Sequence, residues 1–487
     1  MICISVTPQS RKLAKADLLN ASRQGDLIEL CLDRLIKAPD MAELLEGINK
    51  PILVSCRTPA DGGHYEGTDE QRMTLLREAI VAEPAYIELD LETAKKVPRY
   101  GTTKRVVSYT SLDKPLGKVD DIFEEAYKAK ADIVKFTWPT PTLDAAWPLL
   151  AAVTQKREVP VVGMGLGRAG LTFSLLGLKY GSPWVYAALE KGMEAYEGQP
   201  TVSELDETFC KSDIDAQTKF VGIAGLGAAQ FSTIKILNQA FKQFDLKHRC
   251  LPLAIGKFDN VAKMLDVLKV NAILSSPKLG EHIFPLAEKL EEASEAAHYA
   301  DLLLKQPEGW TGYNSLWRSA LKSLETKLGS TGKDDRPLDR KNVLVIGHGG
   351  LARTIVHGIQ QRKGLISITS GKDKEAMKIA QEFGLRHVGF GNLYDTLVDV
   401  VVIADPNLTI GHKKEDFNAS YFKPGMTVMD VSNLPEESAI LDEAKYRGAK
   451  IVEPLNVYAD QLATQFKSIT GKGLPEGLVE QVLGSTE

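Results

Sequence analysis

A lysine inside a run of apolar residues is the first place where the sequence indicates chemistry. Lys135 lies in ADIVKF, whose apolar residues predict a buried strand. Burial lowers the pKa of an amine, so such a lysine can attack a carbonyl carbon and form a Schiff base near neutral pH. A structural ion pair with Glu29 or Asp90 explains the same lysine without catalysis, and both interpretations stay open at this point.

Other charged residues stand at the ends of apolar runs in the same part of the chain. Arg57 follows ILVSC, and its guanidinium presents a planar fork of donors that suits a substrate carboxylate. An ion pair at the rim of the fold is the alternative explanation for this arginine. Glu29 and Asp33 flank the end of another run, and Asp90 follows YIEL.

A glycine-rich turn predicts a nucleotide site in the second half. In NVLVIGHGGLARTIVHGI an apolar strand leads into Gly347, His348, Gly349, Gly350 and Leu351, and then into a helix. Glycines let the backbone approach a pyrophosphate, and the start of a helix favours an anion. The alternative is a turn of the same shape that holds no ligand.

The next predicted strand indicates which dinucleotide would bind. Leu365–Thr369 ends in Ser370, Gly371 and Lys372. An acid at this strand end favours NAD through the ribose 2′-hydroxyl, whereas hydroxyls and a cation suit the 2′-phosphate of NADP. The sequence therefore favours NADP, although Asp373 is close by.

Alternating strands and helices must position these residues. Eight β-rich runs separated by helical patterns such as Asp69–Glu83 and Asp120–Ala131 predict a (β/α)8 barrel, with its active site at the carboxyl ends of the strands. The runs are Ile2–Val6, Leu27–Leu32, Ile52–Cys56, Tyr86–Leu89, Val106–Tyr109, Ile133–Phe136, Val159–Gly163 and Trp184–Ala188.

The second half predicts two further α/β regions. Lys219–Leu328 is the first, and Gly329–Lys341 is a hydrophilic linker into the nucleotide region. That region continues with strands at Val398–Ile403 and Met426–Val431, and 456–483 is predicted to be helical.

Composition excludes several classes of protein. The 487 residues carry 59 Lys+Arg against 64 Asp+Glu, which argues against bulk attraction to nucleic acid. Neither a membrane-spanning run nor a signal peptide is recognisable, so we expect a cytoplasmic protein without membrane partners. The 5 cysteines are scattered and predict reduced core thiols, and no metal-binding motif is present.

The first half resembles type I 3-dehydroquinate dehydratase. The pieces IELCLD, VSCRTPADGG, IELDLE, VVSYT, ADIVKF, VVGMG, YGSP and EGQ follow in the order of that family over about residues 1–200. The resemblance implies that Lys135 forms the imine with substrate and that Asp90 orients the base. It also implies that Glu29, Arg57 and Gln199 bind substrate.

The same resemblance shows departures at positions that carry chemistry. Thr110 stands where the family has its general acid/base histidine, and a hydroxyl cannot take up a proton near pH 7. Cys31 and Phe173–Ser174 replace the family's arginines. The only histidine of the predicted barrel is His64, in the loop after Arg57, from which it would have to reach into the site.

About residues 218–487 resemble shikimate dehydrogenase. The resemblance implies that Thr233, Asn314 and Gln461 bind substrate. The family's catalytic lysine corresponds to Leu279, and its catalytic aspartate to Leu316. Lys278, one residue early, substitutes for that lysine if the backbone shifts; the alternative is a solvated loop lysine.

Together the resemblances imply a bifunctional shikimate-pathway enzyme that uses NADP. It would dehydrate 3-dehydroquinate and reduce 3-dehydroshikimate to shikimate. The alternatives are a weak or inactive descendant that binds nucleotide or metabolite, and an NADP-dependent oxidoreductase of a related substrate. The predicted domains are the barrel at 1–210, a substrate domain at 218–330 completed by helices at 456–487, and a Rossmann domain at 340–455.

Overall fold

The computed structural model describes residues 1–114, 118–167, 169–256, 261–332, 335–411 and 416–484. Residues 333–334 of the predicted linker and 485–487 of the predicted C-terminal helices lie outside these ranges. The chain divides into two compact units, Met1–Phe220 with Phe241–Lys269 and Val221–Ala240 with Val270–Glu487. The division into three domains stays a prediction.

Eight parallel strands form the nearly closed barrel predicted from the sequence, in the order β7-β6-β5-β4-β3-β2-β1-β8. Most of their residues are buried, as expected when helices cover a parallel sheet. The strands are β1 (Ile2–Val6), β2 (Leu27–Cys31), β3 (Ile52–Ser55), β4 (Tyr86–Asp90), β5 (Lys104–Thr110), β6 (Ile133–Pro139), β7 (Val161–Leu166) and β8 (Val185–Ala188).

Local sequence sets where the barrel helices begin. Thr68 caps the third helix, because its hydroxyl accepts from the Gln71 N–H while the Gln71 side chain accepts from the Thr68 N–H. Asp90 caps the fourth helix more simply, because its carboxylate accepts from the Thr93 N–H. The helices are α1 (Arg11–Gln24), α2 (Met41–Leu45), α3 (Asp69–Val81), α4 (Leu91–Lys96), α5 (Val119–Lys128), α6 (Leu143–Thr154) and α7 (Gly170–Lys179).

The strand period of two residues separates an apolar layer from a polar layer inside the barrel. Cys3, Leu27 and Ile133 belong to one buried apolar cluster. Two residues further along the same strands stand Ser5, Glu29 and Lys135, all buried and polar. The polar layer therefore lies nearer the carboxyl ends of the strands, where barrel enzymes carry their sites.

A mixed six-stranded sheet follows, in the order β10-β9-β11-β13-β14-β12. β13 runs antiparallel to both β11 and β14, whereas β12 is parallel to β14. Its strands are β9 (Lys219–Ala224), β10 (His248–Leu253), β11 (Val270–Ser275), β12 (Lys289–Leu290), β13 (Leu302–Gln306) and β14 (Gly309–Tyr313). The helices of this region are α8 (Ala228–Gln243), α9 (Val261–Val267), α10 (Gly280–Ile283), α11 (Glu292–Ala297) and α12 (Leu316–Lys327).

The third sheet is parallel throughout, in the order β17-β16-β15-β18-β19-β20. The strand order reverses between β15 and β18, which confirms the predicted Rossmann arrangement. Its strands are β15 (Asn342–Gly347), β16 (Leu365–Thr369), β17 (Arg386–His387), β18 (Val400–Ala404), β19 (Thr427–Asp430) and β20 (Lys450–Val452). Its helices are α13 (Gly349–Gln361), α14 (Asp373–Phe383) and α15 (Ala439–Tyr446), and the chain continues with α16 (Pro454–Thr470) and α17 (Leu478–Gly484).

The boundaries differ from the predicted runs by a few residues. β7 begins at Val161 rather than Val159, because Pro160 has no N–H to donate to the ladder. In the ranges that the structure describes, no helix is long and apolar enough to cross a membrane. The same ranges contain no cluster of three or more metal-ligating side chains.

Candidate functional site

Lys135 is buried in the barrel and paired with a carboxylate that the sequence interpretation missed. Its Nζ lies 2.8 Å from Oε2 of Glu88, and the two side chains are 1% and 3% exposed. The same Nζ lies 4.5 Å from the centre of the Tyr186 ring, within the range of a cation–π contact. The ion pair therefore exists, but its partner is neither Glu29 nor Asp90.

Glu29 lies in the same polar layer and is held by several donors. Ser5 Oγ donates to Oε2 at 2.7 Å and Ser55 Oγ donates to Oε1 at 3.0 Å. Burial raises the pKa of the Glu29 carboxyl, but the charges of Arg57 and Lys135, together with these hydrogen bonds, outweigh it and leave the pKa below its ordinary value. Glu29 is therefore a fixed anion.

Arg57 pairs with Glu29 at 3.3 Å and donates to Cys31 Sγ at 3.2 Å. A substrate carboxylate would therefore compete with Glu29 for the guanidinium of Arg57. Gln199 also reaches this layer, since its Nε2 donates to Ser5 Oγ at 3.1 Å while its Oε1 accepts from the Ala195 N–H. The structure thus brings Glu29, Arg57 and Gln199 together, as the resemblance implies.

Asp90 is engaged elsewhere. Its Oδ2 accepts from Arg72 at 2.9 Å and from Thr93 Oγ1, and its Oδ1 accepts from the Thr93 N–H. Burial raises the pKa of Asp90, but the hydrogen bonds from Thr93 and Arg72 outweigh it and lower the pKa overall. These contacts stabilise the start of α4, and the predicted role of Asp90 in orienting a base stays a prediction.

The two residues considered for the missing base differ in position. Thr110 ends β5 and is half-buried, opposite Thr137 of β6. The exposed side chain of His64 is bonded at Nε2 to Arg34, at 2.9 Å. Arg34 and His64 line a cavity of about 990 Å³ between the loops after β2 and β3 and helix α3. His64 is thus occupied outside the polar layer that contains Lys135.

Lys278 lies at the edge of a cavity of about 440 Å³ in the second unit. Its side chain is exposed, and Leu279 lines the same cavity. Gly225, Ser276 and Asn433 contribute polar backbone and side-chain groups to the wall. Among the residues that the structure describes, no buried side chain pairs with this exposed ammonium to set its position. Its substitution for the family lysine therefore stays a prediction.

Thr233 and Gln461 line a small chamber next to that cavity. It measures about 30 Å³, room for roughly one water molecule. The Thr233 hydroxyl bonds the Ala229 carbonyl and the Tyr458 hydroxyl, each at 2.8 Å. Both predicted substrate residues therefore face one chamber, which a six-membered ring enters only if its walls separate.

A buried carboxylate, Asp301, lies behind the chamber and is bonded to one of its lining residues, Gln461. It accepts from the N–H groups of Ser315 and Leu316 and, at 3.0 Å, from Nε2 of Gln461. Burial raises the pKa of Asp301, and these hydrogen bonds offset only part of that effect. An acid thus lies against the backbone of Leu316, where the family has its catalytic aspartate.

Asn314, which precedes Ser315 in the chain, is linked by hydrogen bonds to the glycine turn. Its Nδ2 donates to Thr354 Oγ1 at 2.9 Å, and that hydroxyl donates to the Gly350 carbonyl at 2.8 Å. The Asn314 side chain is buried, and in the described part of the chain its Oδ1 has no hydrogen-bond partner. Asn314 can therefore still accept a hydrogen bond.

The glycine turn lies at the carboxyl end of β15, at the point where the strand order reverses. Gly349 has φ +74°, a conformation that side chains with a Cβ rarely adopt. His348 Nδ1 lies 3.1 Å from Ser370 Oγ and 3.3 Å from Asp405 Oδ2. These contacts tie together the ends of β15, β16 and β18, and Leu351 belongs to the buried face of α13.

One carboxylate already lies at the start of α13. The Gly350 N–H donates to Oε1 of Glu281, a residue of α10. Free N–H groups at a helix N-terminus attract an anion, and here an internal anion takes one of them. A dinucleotide pyrophosphate at this turn would therefore meet a negative charge from Glu281.

The end of β16 presents the groups expected for a 2′-phosphate. Ser370 is buried and its Oγ accepts from the Lys372 N–H at 3.1 Å, whereas the Lys372 side chain is exposed. The nearby acid, Asp373, pairs with His387 at 3.1 Å. This arrangement leaves a cation beside the strand end and engages the acid with another partner.

Sequence reasoning missed Glu88, Tyr186, Asp301 and Glu281. Glu88 had the same signal as Lys135, a charged residue inside an apolar strand, and Asp301 likewise precedes the apolar run LLL. No local pattern distinguishes Glu281, because α10 and α13 are far apart in the chain. Only the tertiary fold brings its carboxylate to Gly350.

Comparison with known proteins agrees with this description. Residues 2–215 match the family model described as type I 3-dehydroquinase. The chloroplastic bifunctional 3-dehydroquinate dehydratase/shikimate dehydrogenase of Arabidopsis thaliana is 24% identical over 99% of this chain and 84% of that protein. Shikimate dehydrogenase (NADP(+)) of Aquifex aeolicus is 25% identical over 55% of this chain and 97% of its own length.

A solved structure of the dehydroquinate dehydratase and shikimate dehydrogenase from S. pombe covers 99% of this chain and 98% of its own, with 16% identity and a TM-score of 0.43. The resemblance predicted from the sequence is confirmed by the family model over the barrel and by a relative that spans nearly the whole chain.

Proposed function

We propose that this chain is a bifunctional shikimate-pathway enzyme. Its barrel dehydrates 3-dehydroquinate through an imine at Lys135, and its second unit reduces 3-dehydroshikimate to shikimate with NADPH. The relative that spans 99% of the chain carries both activities in its name. The observation that carries the proposal is the buried Lys135, surrounded by Glu88, Glu29 and Arg57 at the expected end of a barrel.

In the barrel, each charged side chain has a part in handling an anionic ketone. Lys135 supplies the nitrogen that attacks the carbonyl carbon. Arg57 binds the carboxylate once its guanidinium turns from Glu29, and Gln199 with Glu29 accommodates hydroxyl groups. Since Lys135 is only 1% exposed, substrate reaches it when the loops at the carboxyl ends of the strands move aside.

In the second unit, the residues present fit NADP. Gly349 at φ +74° contributes no side chain of its own to the turn, and the exposed Lys372 with Ser370 suits a 2′-phosphate. NADPH, when bound, supplies the hydride for reduction of the ketone. Thr233, Asn314 and Gln461 hold the substrate ring, and Lys278 provides a cation on the wall of the adjoining cavity.

Fusion of the two activities has a physical benefit. The product of the barrel is the substrate of the dehydrogenase, and tethering raises its local concentration at the second site. The cytoplasmic location expected from the sequence is part of this proposal, as is the absence of nucleic-acid partners.

The test supplies the purified full-length chain with 3-dehydroquinate and NADPH and follows dehydroshikimate, shikimate and NADPH together. We expect dehydroshikimate to form and NADPH to be consumed only after it appears. A Lys135→Ala variant given dehydroshikimate directly is the control, because it isolates the second activity. If the wild-type chain binds NADPH but converts neither compound, it is a nucleotide-binding descendant instead.

A further inference from the structure

The Lys135–Glu88 pair presents a chemical problem for a Schiff-base mechanism. An ammonium has no lone pair, so Lys135 must lose a proton before it attacks a carbonyl. The general base that the resemblance leads one to expect is absent, since Thr110 stands at its position. Some other group in contact with Nζ must receive that proton.

Glu88 is placed for this transfer. Its Oε2 lies 2.8 Å from Nζ, within the range required of a general base. The pair is almost fully covered, and desolvation penalises charged forms. Transfer of the proton along the hydrogen bond turns two buried charges into a neutral amine and a neutral acid, which a dry environment disfavours far less than water does.

Other acids near the lysine are already engaged. Glu29 accepts from Ser5 and Ser55 and pairs with Arg57, which keeps it ionised. Asp90 is bound by Arg72 and Thr93. Glu88 is thus the carboxylate whose contact in the structure is with the nucleophile itself.

We propose that Glu88 is the acid/base catalyst of imine formation at Lys135, an inference that rests on the dehydratase activity proposed above. Glu88 takes one proton from the Lys135 ammonium, and the amine lone pair bonds to the ketone carbon of 3-dehydroquinate. A second proton of the nitrogen moves to the former carbonyl oxygen, which gives a carbinolamine. Glu88 returns its proton to that hydroxyl, the C–O bond breaks, and water leaves as the iminium forms.

The charges and atoms balance over this sequence. The ion pair and the ketone become an iminium, a Glu88 carboxylate and one water molecule. Hydrolysis of the product imine follows the reverse path with the same two residues. Glu88 therefore serves at both ends of the reaction.

The experiment traps the imine with sodium borohydride at timed intervals after 3-dehydroquinate is added to the full-length chain. Borohydride reduces the imine to a stable amine, and peptide mass spectrometry counts the adduct on Lys135. We expect Glu88→Gln to slow adduct formation by about 10²–10⁴-fold, the usual contribution of a general acid/base. Glu92→Gln is the matched control, since it makes the same change on an exposed side chain of α4.

The direction of the change separates this role from a purely structural one. If Glu88 only holds the ammonium in place, its removal favours the neutral amine and adduct formation becomes faster. Faster or unchanged trapping in folded Glu88→Gln overturns the proposal. Should that variant fail to fold, Glu88→Asp keeps the charge but withdraws the carboxylate, and we expect it to trap more slowly than wild type; an unchanged rate there overturns the proposal equally.

The same series distinguishes this inference from the proposed function. If the wild-type chain forms the adduct and the Glu88 variants form it at the same rate, Glu88 is excluded as the catalyst while the proposed dehydratase activity is retained. No adduct in the wild-type chain removes the dehydratase and the role of Glu88 together. Lys135→Ala provides the blank for both measurements.

Discussion

The two lysines for which chemistry is proposed in this chain lie in opposite surroundings. Lys135 is buried and paired with Glu88, beside a second pair of Glu29 and Arg57. Lys278 is exposed at the edge of a cavity, next to Leu279. A buried lysine held by a carboxylate has a defined position and a route for its proton, whereas an exposed one is set only by its loop.

The two proposed sites also differ in whether side-chain or backbone groups form them. The barrel site consists of side chains, and each charged member depends on another to remain buried. The proposed nucleotide site consists mainly of backbone: Gly349 supplies the left-handed conformation of the turn, and the start of α13 supplies N–H groups. Substitutions should therefore act through unpaired charge in the barrel, and through shape and local charge at the glycine turn.

The largest expected effect is on the stability of the barrel. Lys135→Met leaves the Glu88 carboxylate buried without a counter-charge, which should lower the free energy of unfolding by about 3–5 kcal/mol. Adding Glu88→Leu removes that charge and should recover most of the loss. Urea unfolding followed by tryptophan fluorescence measures the free energy of unfolding of both variants. Equal destabilisation in the single and the double variant would contradict the dependence of buried Glu88 on Lys135.

The next effect concerns the backbone of the glycine turn. Gly349→Asp introduces a Cβ at φ +74° and a negative charge at the start of α13. The charge effect of up to ~2 kcal/mol should weaken NADPH binding by up to about 30-fold. The backbone strain of about 1–2 kcal/mol is the same with and without ligand, so it lowers the stability of the folded chain rather than the affinity. Gly384→Asp, at φ +66° after α14, is the control with the same strain far from the turn.

NADPH fluorescence titration provides the dissociation constants for these two variants. Loss of affinity in Gly349→Asp with wild-type affinity in Gly384→Asp is the expected result. Equal affinity in both would place the pyrophosphate elsewhere than at this turn.

The smallest expected effect is a gain in affinity for NADPH. Glu281→Gln removes the anion that accepts from Gly350 and should tighten NADPH binding about two- to tenfold, the range expected for a charge at a helix N-terminus. The difference from wild type should shrink as salt is added, because salt screens the charge. Glu476→Gln, an exposed residue, makes the same change in net charge, and a similar gain there would exclude a local effect.

Much of the fold followed from local pattern. β1 matches its predicted run at both ends, and β16 does as well, because short apolar runs between helical patterns define strands without tertiary information. Boundaries shifted where one residue changes hydrogen bonding, as Pro160 does before β7. The sequence predicted the fold class of each region but not the order in which its strands pair.

The site was predictable in part. Local sequence marked Lys135, Arg57 and the glycine turn, since each breaks or ends an apolar run in a recognisable way. It identified the wrong partner for Lys135. Glu88 and Asp90 lie two residues apart on β4 and therefore share one face of the strand, so the strand period cannot distinguish them, and only the tertiary structure decides which of them contacts Lys135.

The sequence by itself determined the elements, the turn at Gly349 and the presence of a buried lysine, since these depend on residues adjacent in the chain. Only the tertiary structure decided that Lys135 meets Glu88, that Asp301 lies against Leu316, and that Glu281 reaches Gly350. Such contacts join separate segments of the chain, and Coulomb and hydrogen-bond energies depend on distances in space that spacing along the chain does not specify.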